Sequence, residues 1–274
     1  MSEEIISSLQ KKRIIEYLKE GKRFDGRTLD EFRDFKVEMG ISKNAESSVS
    51  LKLGKTEVYA GVKMALVTPY PDSPDEGTFM TTMELGPMAD KNFELGAPKI
   101  QAIEMGRVID RGIRESGFID FKGLCMVKGE KVWQVFLDIY AINNDGNLFD
   151  AAAIAALIAL GNAKLPVYNK EEDKIEHKAS DTPLPLNKEA MSFNLTFHKV
   201  GNQIIVDPSK EEELISDFRL SIAIADNNGE ARITAMQKGK EAGINSEDMD
   251  KILKLVETKF KDTFPTISKF VWGN

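Results

Sequence analysis

Cysteine and histidine are scarce in this chain of 274 residues, which contains only Cys125, His177 and His198. A single cysteine excludes an internal disulfide, and so few potential ligands argue against a metal site. We therefore predict no metal and no cofactor. A lone thiol also suits a reducing compartment, so the expected location is the cytoplasm. Cys125 itself is predicted to be a small, buried apolar residue.

Several common motifs are also absent. Neither GxSxG nor GxGxxG occurs, so the chain lacks the nucleophile turn of many hydrolases and the dinucleotide-binding loop. Gly54-Lys55-Thr56 resembles the end of a phosphate-binding loop, but Val49 stands where that loop needs glycine, and a strand pattern follows. We predict a hairpin turn there. Neither histidine lies near a nucleophile motif, so we expect His177 in solvent and His198 on a strand face.

Long apolar runs and an excess of positive charge are missing as well. No stretch of about 18 apolar residues occurs, which predicts no membrane-spanning helix, and the charged N-terminal segment does not resemble a signal peptide. The net charge of -7 argues against a general binder of polyanions. A nucleic acid can still bind where positive charge is concentrated locally. The fractions of hydrophobic residues (42%) and charged residues (30%) are typical of globular proteins.

The hydrophobic pattern predicts an α+β protein. Two halves of similar style, residues 1–165 and 184–274, follow one another along the chain. The polar residues 169–183 are predicted to be a surface excursion. Strands are predicted at residues 35–41, 48–54, 56–66, 79–88, 123–127, 131–142, 191–200, 202–207, 217–226 and 230–237.

Helical periodicity is clearest at the two ends of the chain and in its centre. Residues 148–165 are apolar on nearly every side, which predicts a buried helix whose alanines let neighbouring backbones approach closely. A C-terminal helix is predicted from Ser246, as N-cap, to about Lys269. The N-terminal helix is predicted to end near Gly21, with an apolar stripe of Ile5, Leu9, Ile14, Ile15 and Leu18.

Another predicted helix has a basic face. Arg107, Arg111 and Arg114 are spaced i, i+4 and i+7, so they share one side of the helix. Such a face can bind anions, but it can equally be solvated, with Glu104 and Asp110 pairing with the arginines. This helix is predicted over residues 98–117, with Ala102, Met105, Val108, Ile109 and Ile113 on its opposite, apolar side.

Two further charged clusters have structural explanations. The block GKRFDGR (residues 21–27) with Arg33 is predicted to be a turn held by ion pairs, or part of a subunit interface. The acidic residues 211–213 and Asp217 could serve phosphoryl chemistry. Acidic residues are common in the first turn of a helix, however, so we predict a solvated helix start.

Five blocks carry a family resemblance: GKRFDGR with Arg33 following, SVSLKLGKTEVYAGVK, PYPDSPDEG, AIEMGRVIDRGIRES and DGNLFDAAAIAAL. Together they resemble the ribonuclease PH family, and within it the ring subunits of the archaeal exosome that lack a catalytic centre. The resemblance covers nearly the whole chain and implies the ribonuclease PH fold, in which two βαβα-type halves form one compact unit. It also implies a six-membered ring, in which this chain alternates with a catalytic sister subunit. RNA-binding cap subunits are then expected on one side of the ring.

The resemblance also implies where catalysis is lost. Active family members phosphorolyse RNA from its 3′ end and hold phosphate with a Gly-Ser-Arg turn at the start of the buried helix. Leu148 and Phe149 occupy the serine and arginine positions here. They therefore mark a degenerate phosphate site, because apolar side chains cannot ligate phosphate. Of the two aspartates expected six apart, Asp217 matches one, and Glu211 or Glu213 stands for the other.

Arg107 and Arg111 match positions that approach RNA phosphates at the active site of the sister subunit, and Arg114 is a weaker match. An arginine fork can donate paired hydrogen bonds to phosphate oxygens, in contacts that do not read sequence. We therefore expect a non-catalytic, RNA-binding subunit that helps to structure the active site of its partner. One alternative is a phosphate-dependent 3′-to-5′ exoribonuclease active in its own right. Another is a homo-oligomeric RNA-binding scaffold.

Overall fold

The computed structural model describes residues 6–169, 171–172, 174–227 and 229–273. Its N-terminal helix α1 spans Ser8–Lys19 and begins at Ser7, whose hydroxyl accepts a hydrogen bond from the backbone N–H of Gln10 at 3.1 Å. Only the second half of the helix packs on the protein. Leu9 is consequently 76% exposed and does not belong to the buried face predicted for it. The prediction for Ile5 lies outside the described residues.

Six strands form the first sheet: β1 (Phe35–Met39), β2 (Ser47–Leu53), β3 (Thr56–Val67), β4 (Thr78–Leu85), β5 (Cys125–Val127) and β6 (Lys131–Asn143). Their order is β1-β2-β3-β6-β4, and β5 pairs with β6. The first three strands form an antiparallel meander, with the predicted hairpin turn between β2 and β3. By contrast, β4 runs parallel to β6. Because β5 is short and pairs with β6 alone, Cys125 is only half-buried, and its predicted burial is wrong.

A two-stranded ribbon, β7 (Lys164–Asn169) and β8 (Lys174–Pro183), follows the first sheet. The described side chains of β8 are half-buried or exposed, in agreement with the predicted surface excursion, although a strand is not predicted there. Its polar sequence has no clear alternation, and the strand is stabilised by pairing with β7. The side chain of His177 lies outside the described part of this strand, so its predicted exposure stays a prediction.

The second sheet is antiparallel throughout and is built from β9 (Ser192–Val200), β10 (Gln203–Val206), β11 (Phe218–Asn227) and β12 (Glu230–Gly239). Its order is β10-β9-β11-β12. Its four strands agree with those predicted at residues 191–200, 202–207, 217–226 and 230–237, and β9–β10 and β11–β12 pair as hairpins.

Four further helices complete the fold: α2 (Ile100–Ser116), α3 (Leu148–Gly161), α4 (Lys210–Ile215) and α5 (Ser246–Trp272). Every residue of α3 from Leu148 to Leu160 is buried, as predicted. This helix packs against β2, β3 and β6 of the first sheet and against β9 of the second. Asn245, not Ser246, caps α5, because the Asn245 Oδ1 accepts a hydrogen bond from the N–H of Asp248 at 2.7 Å.

One hydrophobic cluster joins these layers. It contains Val135 of the first sheet, Phe193 of the second, and Ile109, Leu157 and Phe260 from α2, α3 and α5. The α+β class and the N-terminal and C-terminal helices are thus confirmed. Within the described residues, no helix is both long enough and apolar enough to cross a membrane.

Candidate functional site

Helix α2 lies between the two sheets and presents its apolar side to them. Met105, Ile109 and Ile113 are fully buried, in agreement with the predicted apolar side. The close approach depends on Gly112, since a Cβ atom there would lie 3.0 Å from Asn194 Oδ1 and 3.1 Å from the Cβ of Ala223. The helix is therefore fixed against β9 and β11, and its opposite side remains in solvent.

Arg107 and Arg111 are exposed on that opposite side. Among the described residues, neither guanidinium has a hydrogen bond or an ion pair. The local pairing considered from the sequence is formed only between Asp110 and Arg114, whereas Glu104 pairs with Arg219. Two neighbouring guanidinium groups are consequently available to a ligand.

Arg114 differs from the other two arginines. Its Nε lies 3.1 Å from Asp110 Oδ2, and a terminal nitrogen donates to the backbone carbonyl of Phe79 at 2.9 Å. The guanidinium also lies over the ring of Phe121, 5.4 Å from its centroid. These contacts turn the side chain towards β4. Although the helical spacing puts the three arginines on one side, the tertiary contacts separate Arg114 from the pair.

A groove runs beside Arg107 and Arg111, between α2 and the β11–β12 hairpin. Its volume is about 260 Å³. The residues that line it are Ile100, Ile103, Glu104, Arg107, Val108 and Arg111 of α2, together with Ser221, Ala223, Ala235, Met236 and Gln237. The groove therefore combines apolar walls with two unpaired cations.

The start of α3 is the second part of the candidate site. Leu148 and Phe149 are 4% and 5% exposed and belong to the hydrophobic core. Their side chains offer no donor to an anion. Gly146, just before them, has a φ of +91°, and a Cβ there would lie 2.4 Å from the carbonyl oxygen of Pro208. Only glycine fits this position without displacing the backbone.

A carboxylate already occupies the N-terminus of α3. The backbone N–H of Asn147 donates to Glu213 Oε1 at 2.7 Å. Burial raises the pKa of Glu213 to about 7, and the hydrogen bond from Asn147 and the charge of Lys240 oppose that rise only in part. Where it is ionised, this side chain repels other anions from the helix terminus.

The predicted solvated helix start at residues 211–213 and 217 is only half right. Glu211 and Asp217 are exposed. Glu212 is buried and accepts hydrogen bonds from Arg23, and Glu213 caps α3. The sequence prediction is wrong for these two residues, because α4 directs them at the basic turn (residues 21–33) and at the N-terminus of α3.

Arg219 covers Phe149 from the second sheet. Its guanidinium carbon lies 4.0 Å from the centroid of the Phe149 ring, and a terminal nitrogen pairs with Glu104 of α2. Arg219 is not predicted as a site residue from the sequence. A single arginine in an otherwise apolar strand could indicate a special role, but its partners Glu104 and Phe149 are distant in sequence and cannot be predicted from spacing.

Asp150 is a buried acid in the first turn of α3. Its Oδ2 accepts hydrogen bonds from Asn147 Nδ2 at 3.0 Å and from the N–H of Thr196 at 3.1 Å, and Oδ1 has no partner among the described residues. Burial raises the pKa of Asp150 to about 7 despite these bonds. The unpartnered oxygen is the natural position for the proton.

Replacing Asp150 with asparagine is expected to flatten the pH dependence of stability. The pKa is higher in the folded protein than in the unfolded chain, so the stabilising effect of the neutral acid is complete at low pH and is lost as pH rises through about 7. Asparagine copies the neutral acid. At about pH 8, Asp150→Asn should raise the free energy of unfolding by on the order of a few kcal/mol.

Urea unfolding at about pH 5 and about pH 8 measures this effect. The matched control is Asp250→Asn, because Asp250 is exposed on α5 and should leave the pH curve unchanged. Equal pH curves for Asp150→Asn and the unmodified protein would show that Asp150 is ionised in the fold.

The basic turn is structural. Arg23 pairs with Glu212, and both Arg27 and Arg33 pair with the buried carboxylate of Asp207. Arg33 also donates to the backbone carbonyl of Gly146 at 3.0 Å, so it positions the turn that precedes α3. The predicted turn held by ion pairs is confirmed, and the alternative of a subunit interface stays a prediction.

His198 lies on β9 and is 2% exposed, with Nδ1 3.0 Å from the hydroxyl of Ser216. Burial and the nearby charges of Lys240 and Arg219 hold its pKa well below the usual value, so it is neutral. In the part of the chain that the structure describes, no group of three or more His, Cys, Asp or Glu residues is arranged to hold a metal ion.

Family comparisons match most of the chain. The model of the 3′ exoribonuclease family, domain 1, matches residues 31–166, and that of domain 2 matches residues 191–257. The exosome complex component Rrp42 of Methanothermobacter thermautotrophicus is 40% identical over 267 residues, which is 97% of this chain and 97% of that protein. The protein of the same name from Pyrococcus horikoshii is 42% identical over 260 residues, 94% of this chain and 92% of that protein.

Solved structures agree with these matches. A chain from the Archaeoglobus fulgidus exosome with RNA bound to the active site has a TM-score of 0.83 and 37% identity, and covers 93% of this chain and 98% of that one. A chain of an archaeal exosome core has a TM-score of 0.79 and 35% identity, and covers 94% of this chain and 96% of that one.

Proposed function

This chain belongs to the 3′ exoribonuclease (RNase PH) family, and we propose that it is a ring subunit of an archaeal exosome without a catalytic centre of its own. The named relatives and the exosome chains of similar structure support the assembly. The division into halves 1–165 and 184–274 stays a prediction.

The observation that carries the non-catalytic part of the proposal is the start of α3. A helix N-terminus binds phosphate through free backbone N–H groups and its dipole. Here the N–H of Asn147 is bonded to Glu213, and the side chains of Leu148 and Phe149 provide no donor. Inorganic phosphate would have to displace an internal carboxylate and would find no guanidinium from the turn. Phosphorolysis therefore depends on a partner subunit.

The contribution of this chain is the exposed pair Arg107 and Arg111. Unpaired guanidinium groups on a fixed helix bind phosphate oxygens with little reorganisation. We propose that they hold the RNA backbone at the active site of a catalytic ribonuclease PH-like sister subunit, in a ring of three such pairs. Arg114 is a weaker candidate, because Asp110 and the Phe79 carbonyl already engage it. RNA-binding cap subunits and a cytoplasmic location complete the proposal.

Co-purification with the sister subunit tests the assembly and the activity together. Native mass spectrometry should give a closed ring with three copies of each chain. The ring should trim poly(A) only when phosphate is present, and this chain alone should not trim it. Phosphate-dependent trimming by the isolated chain would identify an enzyme in its own right. A homo-oligomer that binds RNA but recruits no sister subunit would favour the scaffold alternative.

A further inference from the structure

We propose that the groove between α2 and the β11–β12 hairpin receives one nucleobase of the RNA whose phosphates contact Arg107 and Arg111. This inference rests on the RNA-binding role proposed above and names a subsite beside it. It adds a contact to a base where the arginine pair provides contacts to the backbone alone.

The size of the groove fits a single ring system. Pockets that enclose a drug-sized ligand have volumes of about 300–1,000 Å³. At about 260 Å³, this groove lies just below that range. It can hold one planar base and leaves the ribose and phosphate outside, at the level of the arginine side chains.

The walls have the chemistry that a base requires. Ile103 and Met236 are large apolar side chains that are 49% and 42% exposed, on opposite sides of the groove. A base presents an apolar π-face to such walls, and a thioether makes favourable contacts with aromatic rings. Gln237 adds an amide whose nitrogen donates to the Lys238 carbonyl at 3.3 Å and whose oxygen can accept from the polar edge of a base. Ser221 only completes the wall, because its hydroxyl is buried and bonded to Thr196 at 3.0 Å.

The charges select an anionic occupant. Arg107 and Arg111 have no partner among the described residues, whereas the one acid in the lining, Glu104, is neutralised by Arg219. The groove is thus locally positive in a chain of net charge -7. An apolar slot beside two unpaired cations is complementary to a base joined to phosphates. An apolar segment of a partner protein would leave both guanidinium groups without a counter-charge.

Abasic scanning of RNA, measured on the ring with its sister subunit, tests the inference. One abasic position in an oligoadenylate should lower affinity by roughly tenfold, because it removes the apolar surface that the base buries against Ile103 and Met236. Ala235→Phe fills the groove and should reduce affinity for intact RNA to the abasic level, with no further abasic effect. The matched control, Ile233→Phe, lies on the same strand outside the groove lining and should behave like the unmodified ring.

A second variant, Met236→Ala, keeps the test valid if the bulky substitution disturbs folding. Met236 is partly exposed, and its truncation should shrink the abasic effect while native mass spectrometry shows an intact ring. Absence of an abasic effect at every position would overturn the base subsite. The base subsite would also be overturned if Ala235→Phe and Met236→Ala left the abasic effect on RNA affinity unchanged. A third contrary outcome is that these variants destabilise the ring without changing its affinity for RNA.

Failure of this inference can be distinguished from failure of the proposed function. Charge reversal at Arg107 and Arg111 should weaken the binding of intact and abasic RNA alike, because it removes contacts to the RNA backbone. If that reversal weakens binding but no abasic effect exists, the RNA role stands and the base subsite is wrong. If neither change affects RNA binding, both proposals are wrong.

Discussion

Charge reversal at both Arg107 and Arg111 to glutamate is expected to weaken RNA binding by the assembled ring by roughly tenfold or more at moderate salt. Both guanidinium groups are exposed and unpaired among the described residues, so the substitutions break no internal contact. Assembly and thermal stability should therefore change little. The loss should come from phosphate contacts and should depend on salt.

Titration of RNA at several salt concentrations measures the effect. Loss of two phosphate contacts should reduce the slope of log K against log salt by about 1.4, at about 0.7 per contact for a single strand. The control ring carries Lys254→Glu and Lys261→Glu. Both lysines are exposed on α5, and the change in net charge is the same. Equal losses in the two rings would mean that the effect is a general charge effect and that the arginine pair has no special role.

Replacement of Asp207 with asparagine is expected to lower the free energy of unfolding by about 3–5 kcal/mol. The side chain is fully buried and pairs with Arg27 at 2.8 Å and with Arg33 at 2.7 Å. It also accepts a hydrogen bond from Asn147 Nδ2 at 2.9 Å. Asparagine removes the charge and directs an amide donor at other donors, so two arginines lose their buried partner.

Thermal unfolding should show a fall in Tm of roughly 10 °C for this variant. Asp145→Asn is the matched control, because Asp145 also approaches Arg33, at 3.6 Å, but its side chain is 40% exposed. A solvent-exposed pair contributes about 1 kcal/mol or less. Similar Tm losses for the two variants would contradict the importance of burial at Asp207.

The pH dependence of Asp207 has the opposite sign to that of Asp150. Burial disfavours its ionisation, but hydrogen bonds from Arg33 and the charges of Arg33 and Arg27 outweigh burial and lower the pKa of Asp207. Its stabilising effect is therefore present above the unfolded pKa and is lost as pH falls through the folded value. The acid limb of the stability curve should be shallower in Asp207→Asn.

Only part of the structure at the start of α3 could be predicted from the sequence. The resemblance to active family members predicts from Leu148 and Phe149 a turn without phosphate ligands, and both side chains are buried in the core. The occupant could not be predicted, since Glu213 is 66 residues from Asn147 and has the same local signature as its exposed neighbour Glu211. Only the packing of α4 on α3 distinguishes the two acids.

The ion pairs of the α2 arginines could also be predicted only in part from the sequence. Helical spacing correctly put Arg107, Arg111 and Arg114 on one side of a helix, and it offered Glu104 and Asp110 as local partners. Asp110 does pair, with Arg114. Glu104 pairs instead with Arg219, 115 residues away, and Arg107 and Arg111 have no counter-ion in the described part of the chain.

The sequence alone determined the α+β class, most strands, the buried alanine-rich helix and the apolar start of that helix. These features depend on the period of apolar residues, which is a local property of the chain. Tertiary structure decided which charges are paired, which acid caps α3, and that a groove opens beside Arg107 and Arg111. Such features depend on contacts between residues far apart in sequence, where burial and the nearest opposite charge determine what each side chain does.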